Sequence, residues 1–235
     1  MNTLIQKKYF DRSENQFDYS EMQRPLLSQI LEMNSLITRL PNLKNKTILD
    51  FGSGSGRLSI YFLSKGISIY AYDISHNSLH NLQRYYLSHR RKNWGKLTLL
   101  KKIPKSFKVD IVIGADVLHH VNIASELKTI YQVLKPNGSA IFSEPNPLNV
   151  FWYIYHVISG TPWHIESGIL NCYQPKLIHN FKSAGFSNTV ISPHGLFPTR
   201  IFNFNEFLCR LNANYLSKLF PINVCSYRHI ILSIK

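Results

Sequence analysis

Cysteine is scarce in this 235-residue chain, and the three present, Cys172, Cys209 and Cys225, are widely spaced with no Cys-x-x-Cys pair. Neither a disulfide framework nor a metal site is expected, and the thiols read as small apolar fillers. Long apolar runs are missing too. The longest, Val150 to Tyr155, falls far short of the ~18 residues of a spanning helix, so no transmembrane segment is expected. The first ten residues hold no apolar core between their charges and no small-residue cleavage site, so a cytoplasmic location is the expectation. Acids are few, 13 against 27 Lys and Arg, for a net charge of +14. From Arg84 to Lys108 there is no acid at all, while Arg90, Arg91, Lys92, Lys96, Lys101, Lys102 and Lys105 lie between. This block over residues 84–108 reads as a solvated face or as a docking face for RNA or a peripheral anionic membrane. With 44% hydrophobic and 13% aromatic residues the chain has ample material for a core, which excludes a disordered tail protein.

No repeat and no Gly/Ser or Pro linker divides the sequence. Leu26, Ile30, Met33, Ile37 and Leu40 recur at helical spacing between Pro25 and Pro41, which makes residues 1–45 an N-terminal helical cap. Residues 46–235 then alternate short apolar runs with helical stripes. Strands are expected at Thr47–Phe51, Ile67–Tyr72, Leu97–Leu100, Asp110–Gly114, Ser139–Ser143, Ser187–Ile191 and Tyr227–Ile234. Between them fall helices at Leu58–Ser64, after Ser75 as N-cap, from Ile123 to Leu134, and after Pro175. The alternation predicts an α/β fold with a seven-stranded, mostly parallel sheet and helices on both faces. Ligands of such sheets sit beyond the carboxyl ends of the strands. Two stretches break the pattern: residues 144–173, expected as an aromatic lid, and 197–221, expected as a second, partly helical insertion.

The sharpest local signal is Ile48-Leu-Asp-Phe-Gly-Ser-Gly-Ser-Gly-Arg-Leu58, a strand that ends in glycines and enters a helix. Glycine is needed where backbone turns tightly and approaches a ligand. A dinucleotide site would want glycine at position 57, where this chain has Arg57, and Asp50 is awkward beside a pyrophosphate yet apt for a cationic ligand. The second strand ends at Tyr72-Asp73-Ile74, where the acid can accept both hydroxyls of a ribose and Ile74 can lie on a purine face. The combination suits an adenosine with an amino-acid tail.

On these residues the chain resembles the class I S-adenosylmethionine-dependent methyltransferases. Four motifs in order carry the resemblance: Ile48–Leu58, Tyr70–Ser75, Val109–Val121 and Val133–Glu144. The helix of Tyr173–Phe186 is similar to the family's helix after the fifth strand. The resemblance implies a Rossmann-like fold with S-adenosyl-L-methionine as cofactor. It implies that Gly52, Ser53, Gly54 and Gly56 shape the methionine-side loop, that Asp50 sits near the cofactor's amino end, and that Asp73 holds the ribose beside Ile74. It places Ala115, Asp116 and Leu118 along the cofactor floor. The chain departs from the family after the third strand: Leu99-Leu-Lys-Lys-Ile-Pro104 offers no acid for the adenine amino group.

A sulfonium-bound methyl is already electrophilic, so such an enzyme mainly aligns the acceptor and excludes water. A base is needed only where the acceptor must lose a proton. His120, or its neighbour His119, sits at the catalytic edge beyond the fourth strand and can serve, while Glu144 follows the fifth and can orient acceptor or cofactor; each can equally make structural hydrogen bonds. Trp152, Tyr153, His156, Trp163 and His164 are candidate walls of an acceptor pocket for a flat or lipid-like molecule. Phe202, Phe204 and Phe207, near Arg200 and Arg210, extend these aromatics into a candidate interfacial face. The leading expectation is methyl transfer to a small hydrophobic, aromatic or lipid-like acceptor. An RNA methyltransferase using the 84–108 block is the alternative, against which stands Gly114-Ala-Asp-Val117 in place of the Asp/Asn-Pro-Pro-Tyr/Phe signature. A non-catalytic cofactor-binding subunit is the third.

Overall fold

The chain folds around one mixed sheet of seven strands in the order β3-β2-β1-β4-β5-β7-β6. They span β1 Ile48–Phe51, β2 Ile69–Tyr72, β3 Leu97–Leu100, β4 Val109–Ala115, β5 Leu134–Pro145, β6 Asn188–His194 and β7 Arg228–Ile234. The computed structural model describes residues 3–12, 22–40, 42–198 and 201–235. Pro41 and Arg200 lie outside the described residues. The first five strands pair in parallel, and β7 inserts antiparallel between β5 and β6.

The sequence reasons for the elements are local. β1 is buried at all four positions, as a strand covered on both faces must be. Helix α1 covers Thr3–Arg12 and α2 Leu27–Ile37; α3 covers Arg57–Ser64 and α4 His76–His89. Ser75 caps α4 by accepting the Ser78 N–H at 3.1 Å. Helix α5, Ile123–Val133, stops one residue before the expected Leu134, because Leu134 already pairs with Val109 as the start of β5. Pro136 and Gly138 therefore sit within a long, bulged strand rather than after a helix. Helices α6 Val150–Ser159, α7 Trp163–Glu166 and α8 Gln174–Ser183 follow, and α9, Glu206–Asn214, lies in the second insertion.

Both faces of the sheet are covered. Leu49, Val112 and Phe142 point into one core with Leu127, Ile130 and Phe181. Ile48, Ile69 and Ile111 point into the other with Met33, Phe62 and Leu82. The strand order reverses between β1 and β4, which opens a crevice beyond their carboxyl ends.

Candidate active site

The glycine turn forms the floor of that crevice. Gly52 and Ser53 donate their N–H groups to the Tyr72 carbonyl at 2.8 and 3.0 Å, which ties the loop to the end of β2. Gly52 has φ +72°, and a Cβ there would stand 2.2 Å from Val117 Cγ2. Gly56, at φ 108°, is the left-handed residue that starts α3. Only glycine meets both demands at position 52.

A cleft of about 320 Å³ opens above the turn. Asp50, Gly52, Ser53, Gly54 and Gly56 line it from the loop, Asp73 and Ile74 from the end of β2, and Ala115, Asp116 and His120 from the end of β4. Leu118 is a correction: it is fully buried and packs in the core with Leu127 and Phe181 instead of lining the cleft. Several lining residues escaped sequence reasoning, among them Gln6 and Phe10 of α1, Arg57, Tyr72 and Glu126. Position 57, first in its helix and ending the glycine motif, was a usable signal; Gln6 and Phe10 carried none, since only tertiary packing brings α1 here.

Asp50 Oδ2 accepts the Ser59 hydroxyl at 2.7 Å, whereas Oδ1 is buried without a hydrogen-bond partner. Burial pushes this carboxyl up to about 7 despite the Ser59 bond, and the nearby Asp73 adds to the rise. An unsatisfied buried carboxylate oxygen is costly, and a ligand's ammonium would satisfy it. Ser53 Oγ is buried and unpartnered at the same cleft. Asp73 receives the Gly54 N–H and the Ser75 N–H, both at 2.8 Å. Burial raises its pKa, opposed by these N–H donors. The chain thus fits an amino-acid-bearing adenosine.

Asp116, at φ +56°, belongs to a closed ring of alternating charge. Arg57 reaches Asp116 at 2.7 Å and Glu32 at 3.3 Å. Arg228 reaches the same two carboxylates at 2.5 and 3.1 Å. Burial works against ionising Asp116, but Arg228 and Arg57 outweigh it and hold the carboxyl below its ordinary range.

Glu144 and its surroundings correct another expectation. Glu144 is fully buried and does not line the cleft. It accepts the N–H groups of Val117 and Leu118 at 2.9 and 2.8 Å and bonds His119 Nδ1 at 2.7 Å. It therefore shapes the turn after β4 from behind. Burial disfavours a charged His119, yet its hydrogen bond to Glu144 and the nearby carboxylate of Glu166 raise it to about 9. His120 goes the other way: burial and the neighbouring His119 lower it to about 3, so it is neutral at physiological pH.

The five candidate acceptor-pocket residues do not reach the cleft either. Trp152 stacks on Tyr227 with ring centroids 4.4 Å apart and donates its indole N–H to the Tyr227 carbonyl at 2.6 Å. Tyr153 and His156 pack on Trp163 at 6.1 and 5.0 Å, and His164 is exposed. Trp152 closes over β7 because Tyr227 offers its ring and Arg228 a cation 5.6 Å from the indole.

Comparison with known proteins agrees with this geometry. Residues 22–191 match the family model described as a methyltransferase domain. A ubiquinone biosynthesis O-methyltransferase of Nitrosomonas europaea is 29% identical over 135 residues, 55% of this chain and 56% of that protein. The chain spans about half the length of two curated relatives it matches, 51% of one and 56% of another, and 4% of a third. Among solved structures, an S-adenosylmethionine-dependent methyltransferase of Thermotoga maritima, described as a possible histamine N-methyltransferase, superposes with a TM-score of 0.65. It is 14% identical, with 98% of this chain and 99% of that one covered. Magnesium protoporphyrin IX methyltransferase of Synechocystis, with bound SAH, gives 0.62 at 17% identity with both chains covered in full. With the matched family model covering most of its length, the chain belongs to the methyltransferase domain family and has the fold of the S-adenosylmethionine-dependent methyltransferases.

Proposed function

We propose that this chain transfers a methyl group from S-adenosylmethionine to a small hydrophobic, aromatic or lipid-like acceptor. The observation that carries the reading is the cleft itself: Asp50 Oδ1, buried and unpartnered, belongs to its lining, as do Phe10 and neutral His120, whose rings are in contact. S-adenosylmethionine, when bound, supplies an electrophilic methyl on sulfur. Asp50 receives its ammonium, and Asp73 its ribose hydroxyls beside Ile74. The Phe10 ring meets the His120 ring edge-on at 5.0 Å and gives a flat acceptor an apolar wall. His120 Nδ1, buried and without a partner, offers an acceptor hydroxyl a hydrogen-bond acceptor. A relative described as a ubiquinone biosynthesis O-methyltransferase, and a protein of like fold described as a magnesium protoporphyrin IX methyltransferase, agree with a small-molecule acceptor.

A lipid-like acceptor finds support in α6, which carries no Lys, Arg, Asp or Glu and leaves Val157 and Ile158 79% and 78% exposed. Among the described residues no helix is long and apolar enough to cross a membrane. An RNA acceptor has a single observation in its favour, the exposure of all nine basic residues of the 84–108 block.

The test is incubation with methyl-labelled S-adenosylmethionine and cell extract, followed by fractionation. Label in organic-soluble or small-molecule fractions is expected. Ribonuclease-sensitive label would replace this reading with the RNA one, and no transfer with intact cofactor binding would leave a non-catalytic binding subunit.

A further inference from the structure

His119, His120 and Glu166 meet behind the edge of the cleft that His120 lines: a ring nitrogen of each histidine and a carboxylate oxygen of the glutamate lie within 4.8 Å of one another. His119 Nδ1 is committed to Glu144 at 2.7 Å, which leaves Nε2 facing Glu166 Oε2 at 3.7 Å. That separation is too long for a hydrogen bond. Two ligands bound about 2.1 Å from one ion stand roughly 3 to 3.6 Å apart across ordinary coordination angles. The observed separation is about 0.1 Å beyond that range, and the Glu166 side chain is 25% exposed. Metal-binding histidines characteristically give their other ring N–H to a carboxylate, which fixes the tautomer and ring orientation. Buried Glu144 stands in that position behind His119. His120 adds an independent sign, a buried Nδ1 with no partner on a residue that lines the cleft.

We propose that His119, His120 and Glu166 bind a divalent transition-metal ion of the Zn2+ or Fe2+ class beside the methyl-transfer cleft, at the edge that His120 lines. Two imidazoles and one carboxylate suit such ions and leave coordination positions open. The overlapping cluster of His119, Glu144 and Cys172 is the poorer host. Burial and the charge of Glu144 push the Cys172 thiol well up, so it is no thiolate, and Glu144 is already occupied by backbone N–H groups.

This assignment rests on the acceptor reading above and narrows it to molecules with two adjacent oxygens, which fill the open positions together. An ion held by these residues would make an acceptor hydroxyl more acidic, so that His120 need not act as a base. The hydroxyl gives its proton to solvent, its oxygen bonds the methyl carbon, and the carbon–sulfur bond breaks to leave a neutral thioether.

Titration calorimetry of the chelator-treated full chain with Zn2+ is expected to show one binding site, and Co2+ in its place to give a visible absorption band. Glu166→Gln is expected to weaken Zn2+ binding by about 10-fold or more, with S-adenosylmethionine affinity unchanged in the same samples. His164→Asn, at an exposed histidine two positions away, is expected to keep the Zn2+ site. No Zn2+ site in the unsubstituted chain, a site that survives Glu166→Gln, or an equal loss in His164→Asn overturns the assignment. The two titrations separate failures: cofactor binding without Zn2+ binding removes only the metal, whereas loss of cofactor binding removes the reading beneath it.

Discussion

Glu32, on the N-terminal cap, and Arg228, the first residue of the penultimate-to-edge strand β7, meet at 3.1 Å while 2% and 4% exposed. The Ser143 hydroxyl bridges them, donating to Glu32 at 2.6 Å and accepting from Arg228 at 2.8 Å. Arg57 and Asp116 complete the ring and carry it to the cleft. Breaking a buried pair on one side leaves an uncompensated charge, which costs about 3–5 kcal/mol. Arg228→Met is therefore expected to lower unfolding free energy in urea by about that amount. Glu32→Gln combined with Arg228→Met should recover part of it, since the orphaned carboxylate is then gone.

Asp50 couples pH to both stability and binding. Its carboxyl is raised to about 7 by burial, above its ordinary value of 3.8. A carboxyl raised in the fold stabilises it at acidic pH, and that contribution is lost as pH climbs from the ordinary value through the folded one. Asp50→Asn is expected to flatten the fall in thermal stability between about pH 4 and about pH 8. Calorimetry with S-adenosylmethionine should show affinity rising through pH 7 in the unsubstituted chain, as the carboxylate ionises to meet the ammonium, and a weaker, flatter profile in the variant.

Asp73 has a loop to hold as well as a ribose to bind. Hydrogen bonds to a charged group are worth about 1.5–3 kcal/mol each. Asp73→Ala is expected to weaken cofactor binding by at least about 10-fold and to lower the melting temperature, because the Gly54 and Ser75 N–H groups lose their acceptor. Unchanged affinity by calorimetry would reject the ribose assignment.

Gly52→Ala tests the turn itself. The substitution forces a side chain into a left-handed conformation, costing about 1–2 kcal/mol. It also drives the new methyl into Val117, for about 1–3 kcal/mol more. Urea unfolding should register the sum, and a loss under about 1 kcal/mol would mean the loop relaxes freely.

The exposed face of α6 offers a cleaner separation of binding from delivery. Val157→Asp with Ile158→Lys removes apolar surface from a helix with no buried residue, so stability and cofactor affinity should hold. Transfer to an acceptor embedded in lipid vesicles is expected to drop several-fold, while transfer to a soluble analogue stays level.

Sheet, strand alternation and glycine turn were legible from the chain alone because each is governed by neighbours in sequence. Apolar runs such as Ile48–Phe51 need no distant partner to be read as strands, and Gly52 to Gly56 declare a turn by their own conformational freedom. Asp50 and Asp73 could be placed for the same reason, at strand ends facing one crevice. What could not be read was which of several polar and aromatic side chains would turn inward. Glu144 lies at the end of β5 and His120 in the turn after β4, yet Glu144 is drawn behind that turn by two backbone N–H groups while His120 faces the cleft under Phe10. Trp152 looked like a pocket wall and instead stacks on Tyr227, a residue 75 positions further on. Periodicity fixes the face a residue takes within its own element; only the packing of elements distant in sequence settles what that face meets, because burial and hydrogen-bond satisfaction are properties of the assembled fold.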